Sequence, residues 1–168
     1  MLNRREWLEL TLGAGAALGL GSRLALGAAP ELLARPIPSS GEKIPVIGLG
    51  SSATFRTVAH GEDVAALREV LDVMVARGAT VFDTAPSYGA SEAVAGKLAR
   101  ELGITSKLFW ATKLNVAARG GGGADPAAAR AQIEESFHRH GGKTIDLVQV
   151  HNLGDMPVQL GILKELKQ

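Results

Sequence analysis

Short apolar blocks alternate along this chain with stripes of apolar residues at helical spacing. "IPVIGLG" (44–50), bounded by glycine, reads as a first strand. Over residues 62–77, Leu67, Val70, Leu71, Met74 and Val75 recur on one helical face, and Gly78 stands where a left-handed residue closes a helix. "ATVFD" (79–83) predicts a second strand. Ser91 predicts the cap of a helix that runs to Leu102 and is closed by Gly103. "KLFWATK" (107–113) predicts a third strand, and Asp125 followed by Pro126 predicts a helix to about His140. "TIDLVQVH" (144–151) predicts a fourth strand, after which Pro157 opens a last helix.

The resulting order is βαβαβαβα. Its strands show little alternation, and continuous apolar strands belong to parallel sheets covered by helices. An α/β fold is therefore predicted, with one core and no internal repeat. Residues 30–42, with "PIPSSGE" at their end, read as a Pro/Ser linker. "RGGGG" (119–123) reads as a flexible loop after the third strand, the alternative being a flap over a site at that strand's C-terminal end.

The N-terminus follows a different pattern. Arg4-Arg5 precedes a short apolar run rich in glycine and alanine (10–21), then Arg23 and the small-residue stretch "ALGAAP". A charged region, an apolar region too short to span a bilayer and a small-residue region make an export signal over residues 1–29. The paired arginines before Trp7-Leu8 resemble the twin-arginine type, which a receptor reads and which is not an anchor. The expectation is a periplasmic or exported protein, handled by the twin-arginine machinery and without a permanent membrane anchor.

Composition narrows the chemistry. With 18 basic and 17 acidic residues the charge is nearly balanced, which gives no footprint for nucleic acid. The absence of cysteine removes disulfides, thiolate nucleophiles and thiolate metal sites. His138 and His140 are two apart on a predicted helix and point to different sides, and His60 falls in a loop; no metal site is predicted.

Ionisable residues gather at the strand ends. Asp83 ends the second strand, Lys113 the third and His151 the fourth, and Tyr88, the only tyrosine, lies in the loop after the second. In parallel α/β folds the carboxyl ends of the strands share one face, where sites are built. A phenol holds its proton near neutrality, and a neighbouring cation favours the phenolate. Lys113 can supply that cation, Asp83 can fix it, and His151 can orient a substrate oxygen. This set makes a tuned general acid facing a polarised carbonyl.

The blocks "FDTAPSYG", "WATK" and "IDLVQVHN" carry these four residues in the order found in the aldo/keto reductase family, which the sequence resembles over residues 43–168. "GLGSS" (48–52) is similar to that family's first-strand glycine turn, and "SEAVAGKLAR" to its second helix. The resemblance implies a (β/α)8 TIM barrel, of which only the first four βα units are present, a half barrel. It implies NADPH-dependent reduction of a small aldehyde or ketone, or the reverse. Tyr88 would be the general acid, Asp83 and Lys113 its tuning pair, and His151 the ligand of the carbonyl oxygen. Gly50, Ser51, Ser52 and Asp83 match positions near the nicotinamide ribose. With only four of eight units, weak or no NADPH binding is expected of the 168-residue chain alone.

Three other readings stay open on the sequence. Gly48, Gly50 and Ala53 fit a loose G-x-G-x-x-A, the fingerprint of a Rossmann-type domain. Lys113 could instead serve as the nucleophile of a Schiff-base aldolase. The chain could also be a non-catalytic cofactor-sensing or partner-binding module.

Overall fold

The computed structural model describes residues 32–53, 55–56, 64–117 and 123–167. The segment read as an export signal, His60, the start of the helix expected from Glu62 and most of the glycine run at 119–123 lie outside the described residues. The chain from Leu32 onward opens with an antiparallel hairpin, β1 (Ala34–Pro36) against β2 (Lys43–Pro45), with Arg35 opposite Ile44. Part of the stretch read as a linker is therefore a hairpin arm. The turn closes through Gly41, at φ +75°, whose N–H donates to the Ile37 carbonyl at 2.8 Å.

Four βα units follow: β3 (Leu49–Gly50), α1 (Ala65–Ala76), β4 (Val81–Asp83), α2 (Ser91–Glu101), β5 (Phe109–Leu114), α3 (Pro126–His140), β6 (Leu147–Val150) and α4 (Met156–Leu166). The block 44–50 thus divides between the hairpin and the first parallel strand. The sheet is all parallel in the order β3-β4-β5-β6, with Gly50, Asp83, Ala111 and Leu147 in one row.

Side chains alternate between the sheet's two faces. Phe82, Trp110 and Leu114 point to the helices. Phe82 lies edge-on to Phe55 (5.2 Å) and Trp110 (5.5 Å), against Leu67 and Leu71 of α1 and Ala95 and Leu98 of α2. Leu114 meets Ala129, Ile133 and Ile162 of α3 and α4. Of the stripe read for α1, Leu67 and Leu71 are buried and Met74 and Val75 pack at the margin, whereas Val70 is exposed.

Burial on both faces holds for β5 but not for β6, where Leu147 and Gln149 are exposed and Val148 and Val150 half-buried. β6 is an edge strand, and among the described residues helices cover one of its faces.

The helix ends follow local chemistry. Asp125 Oδ1 accepts from Ala127 N at 2.9 Å, Pro126 occupies the first position of α3, and Gly141 closes it at φ +70°. Ser91 does not cap α2. Ala90 holds the cap position with no side-chain bond, and Ser91 is the first helical residue, buried, its Oγ accepting from Thr84 Oγ1 at 3.4 Å. α2 and α3 approach so closely that a Cβ on Gly96 would collide with the Arg139 carbonyl.

Candidate functional site

The row Gly50–Asp83–Ala111–Leu147 and the next residues of each strand set the rim. The face away from the core carries Asp83 and Lys113, because Phe82 and Trp110, their partners in alternation, point to the helices. Lys113 is deep, with 13% of its side chain exposed, and its Nζ donates to Asp83 Oδ1 (2.7 Å), Asp83 Oδ2 (2.9 Å) and the Thr84 carbonyl (2.9 Å). Three acceptors take up the three ammonium protons, so the charge is fixed in place.

The loop after β4 folds back over this pair. Tyr88 N donates to the Ala85 carbonyl at 3.0 Å, closing a turn that brings the phenol ring over Lys113, with Nζ 5.2 Å from the ring centre. That distance lies within the range at which a cation and an aromatic face attract. The His151 ring stands edge-on to Tyr88, centroids 5.7 Å apart at 84°. Its Nδ1 lies 3.3 Å from Ser87 Oγ. Burial first, and then the Lys113 charge, push the His151 imidazole below its usual value, with Asp83 opposing. A neutral imidazole whose Nδ1 accepts from Ser87 keeps Nε2–H free to donate.

The fold thus brings Asp83, Tyr88, Lys113 and His151 together on one rim. Ser87 and the Thr84 carbonyl also contribute. Neither was singled out by the sequence, although both sit inside the "FDTAPSYG" block. At the end of β3, Gly50 and Ser52 are exposed, and a Cβ at Gly50 would meet nothing within 4 Å, which leaves room there for a ligand. Ser51 lies beneath them, fully buried, its N–H bonded to the Asp83 carbonyl at 3.0 Å and its Oγ without a hydrogen-bond partner among the described residues. The rim is thus open beside a fixed cation, with small polar residues at its edge.

His151 opens a tight turn in which Asn152 and Leu153 (φ +56° each) and then Asp155 (φ +36°) take left-handed conformations, unusual for residues with a side chain. Asp155 Oδ2 accepts from Gly123 N (2.9 Å) and Ala124 N (3.0 Å), tying this turn to the start of α3. Among the described residues no three His, Cys, Asp or Glu converge as a metal site would require, and no helix is long and apolar enough to cross a membrane.

The Rossmann reading does not fit this sheet. A doubly wound sheet places its first strand in the interior, whereas β3 lies at an edge and the strands follow in chain order.

The model of the aldo/keto reductase family matches residues 46–168. The chain is 34% identical over 101 residues to aldo-keto reductase str7 of Strobilurus tenacellus, covering 58% of this chain and 30% of that protein. It is 32% identical over 120 residues to aldo-keto reductase YhdN of Bacillus subtilis, covering 68% and 36%. An aldo/keto reductase from Klebsiella pneumoniae, solved in complex with NADP and acetate, superposes with a TM-score of 0.56 at 27% identity, over 75% of this chain and 42% of that one. The chain spans about a third of the length of these curated relatives. With its four βα units and the strand-end cluster, it belongs to the aldo/keto reductase family.

Proposed function

We propose that this chain supplies the first four βα units of a (β/α)8 barrel that reduces a small aldehyde or ketone with NADPH, or runs the reverse oxidation. The observation that carries this reading is the Lys113 ammonium, held by both Asp83 oxygens and lying under the Tyr88 ring beside His151. The relative solved with NADP and acetate supports a nicotinamide cofactor.

Each residue has a task. Tyr88 gives its proton to the carbonyl oxygen. Lys113 stabilises the phenolate that remains, and Asp83 prevents the ammonium from turning away. His151 donates from Nε2 to the same carbonyl oxygen and orients it, its other nitrogen accepting from Ser87. Gly50, Ser51, Ser52 and Asp83 would hold the nicotinamide ribose. A bound nicotinamide would supply the hydride, and Tyr88 supplies the proton to the carbonyl oxygen. The aldolase alternative requires an amine with a free lone pair, and Lys113 Nζ donates to three acceptors instead.

Screening a complete barrel that contains these four units for NADPH oxidation against a panel of aldehydes and ketones tests this reading. Tyr88→Phe is expected to lower kcat by about 10²–10⁴. Unchanged turnover in that variant overturns the assignment of the acid.

We further propose that residues 1–29 direct twin-arginine export to the periplasm, on the strength of Arg4-Arg5 before Trp7-Leu8 and the short apolar run. Changing both arginines to lysine is expected to retain the protein in the cytoplasm, and undiminished periplasmic recovery rules the signal out.

A further inference from the structure

A buried acid lies behind the rim. Glu92, the second residue of α2, is 0% exposed, which is rare for a carboxylate unless it is paired. Its Oε1 accepts from Thr112 Oγ1 at 2.6 Å and from Ser136 Oγ at 3.1 Å, and its Oε2 accepts from Arg139 Nη1 at 3.0 Å. Thr112 immediately precedes Lys113 on β5 and points to the opposite face of the strand. Glu92 thereby fastens the strand that delivers Lys113 to the helix that begins just after Tyr88.

A second path joins the same two points from the front. Thr84 accepts Lys113 Nζ on its carbonyl and donates its hydroxyl to Ser91 Oγ, while Ser91 N donates to the Tyr88 carbonyl at 3.2 Å. Lys113, Thr84, Ser91, Glu92 and Thr112 form a closed circuit of hydrogen bonds and main chain, with Tyr88 attached at Ser91. Drying a carboxylate costs several kcal/mol, and apolar residues of similar volume often hold such a place equally well. Packing alone therefore does not account for an acid here, whereas a fixed spacing between two site residues does.

We propose that Glu92 is a positioning residue, whose bond to Thr112 sets the distance between the Lys113 ammonium and the Tyr88 ring. This rests on the reading of Tyr88 and Lys113 as acid and cationic partner, but its test needs no turnover. Tyr88 is the only tyrosine, so the chain made with ring-¹³C tyrosine gives one set of signals that reports on this site alone.

In Thr112→Val and Glu92→Met, the Tyr88 ring signals are expected to move toward those of an unfolded peptide. Their contacts with Lys113 and His151 are expected to weaken, with the far-ultraviolet circular dichroism unchanged. Thr112→Ser, which keeps the hydroxyl, should retain the wild-type signals. Tyr88 signals that stay in place in folded Thr112→Val overturn the proposal, and this variant decides the matter even where Glu92→Met does not fold. Loss of the carbonyl-reduction reading would appear separately, as an absence of turnover in a complete barrel that contains these four units, and would leave the signal positions unaffected.

Discussion

The His140 ring lies stacked on Trp110, centroids 4.5 Å apart and 19° from parallel, in a pocket closed to solvent. Neither ring nitrogen has a hydrogen-bond partner among the described residues, and Nε2 is 3.7 Å from Glu92 Oε1. Burial, the largest cause, lowers the pKa of His140; Glu92 opposes this and Arg139 adds to it. The folded state therefore binds fewer protons than the unfolded state once pH falls below the ordinary histidine value of about 6.5. Stability is full above that pH and falls on acidification toward the lower folded value, by at most about 1.4 kcal/mol per pH unit for one proton. Melting temperatures between neutrality and mild acid should decline in wild type and decline less in His140→Phe. Equal slopes in the two proteins would contradict a neutral buried His140.

The Lys113 charge lowers His151, so removing it should raise His151. In Lys113→Met the imidazole loses a repelling cation and faces an Asp83 no longer paired to Lys113. Its NMR titration midpoint is expected to move up from the wild-type value. The variant should also cost about 1–2 kcal/mol of stability, through the lost charged hydrogen bonds to a partly exposed carboxylate.

Gly96→Ala should be costly. Its new methyl group meets the Arg139 carbonyl and the His140 backbone, which are main chain and cannot swing aside. Overpacking of this kind costs about 1–3 kcal/mol or more. A urea midpoint that does not fall would refute the close approach of α2 and α3.

Asp155→Ala removes the carboxylate that accepts from Gly123 and Ala124. Hydrogen exchange at these two amides should quicken about tenfold or more, since each loses a bond worth about 1.5–3 kcal/mol when the acceptor is charged. The amides of β5 should keep their wild-type protection.

The ladder of four βα units was legible because burial dictates it: Phe82, Trp110 and Leu114 can sit nowhere else in a chain of this composition. The site was legible for the same reason, since strands that must be parallel must also end on one face and carry Asp83, Lys113 and His151 to it. What stayed hidden depends on partners distant in sequence. Glu92 looks like an ordinary first-turn acid until Thr112, Ser136 and Arg139 surround it. Ser91 has the residue type of a cap, but the chain enters α2 so that its hydroxyl meets Thr84. The hairpin is not evident in the sequence because Pro36 and Pro38 suggest a linker and Pro45 falls in the block that reads as the first parallel strand, although a two-stranded ribbon tolerates proline at its ends. The exposure of Leu147 and Gln149 depends on which face of β6 is covered, and its apolar sequence does not specify that.

Asp83 joins its neighbours in two independent ways. Its side chain holds the Lys113 ammonium, while its main chain pairs with Gly50 and Ala111 and accepts the Ser51 N–H. Main-chain bonds are blind to the side chain that accompanies them. A lineage could therefore exchange this acid for a neutral residue and keep the same sheet in the same register. The fold could thus outlive the chemistry proposed for this rim, and descendants without the acid would remain recognisable by shape alone.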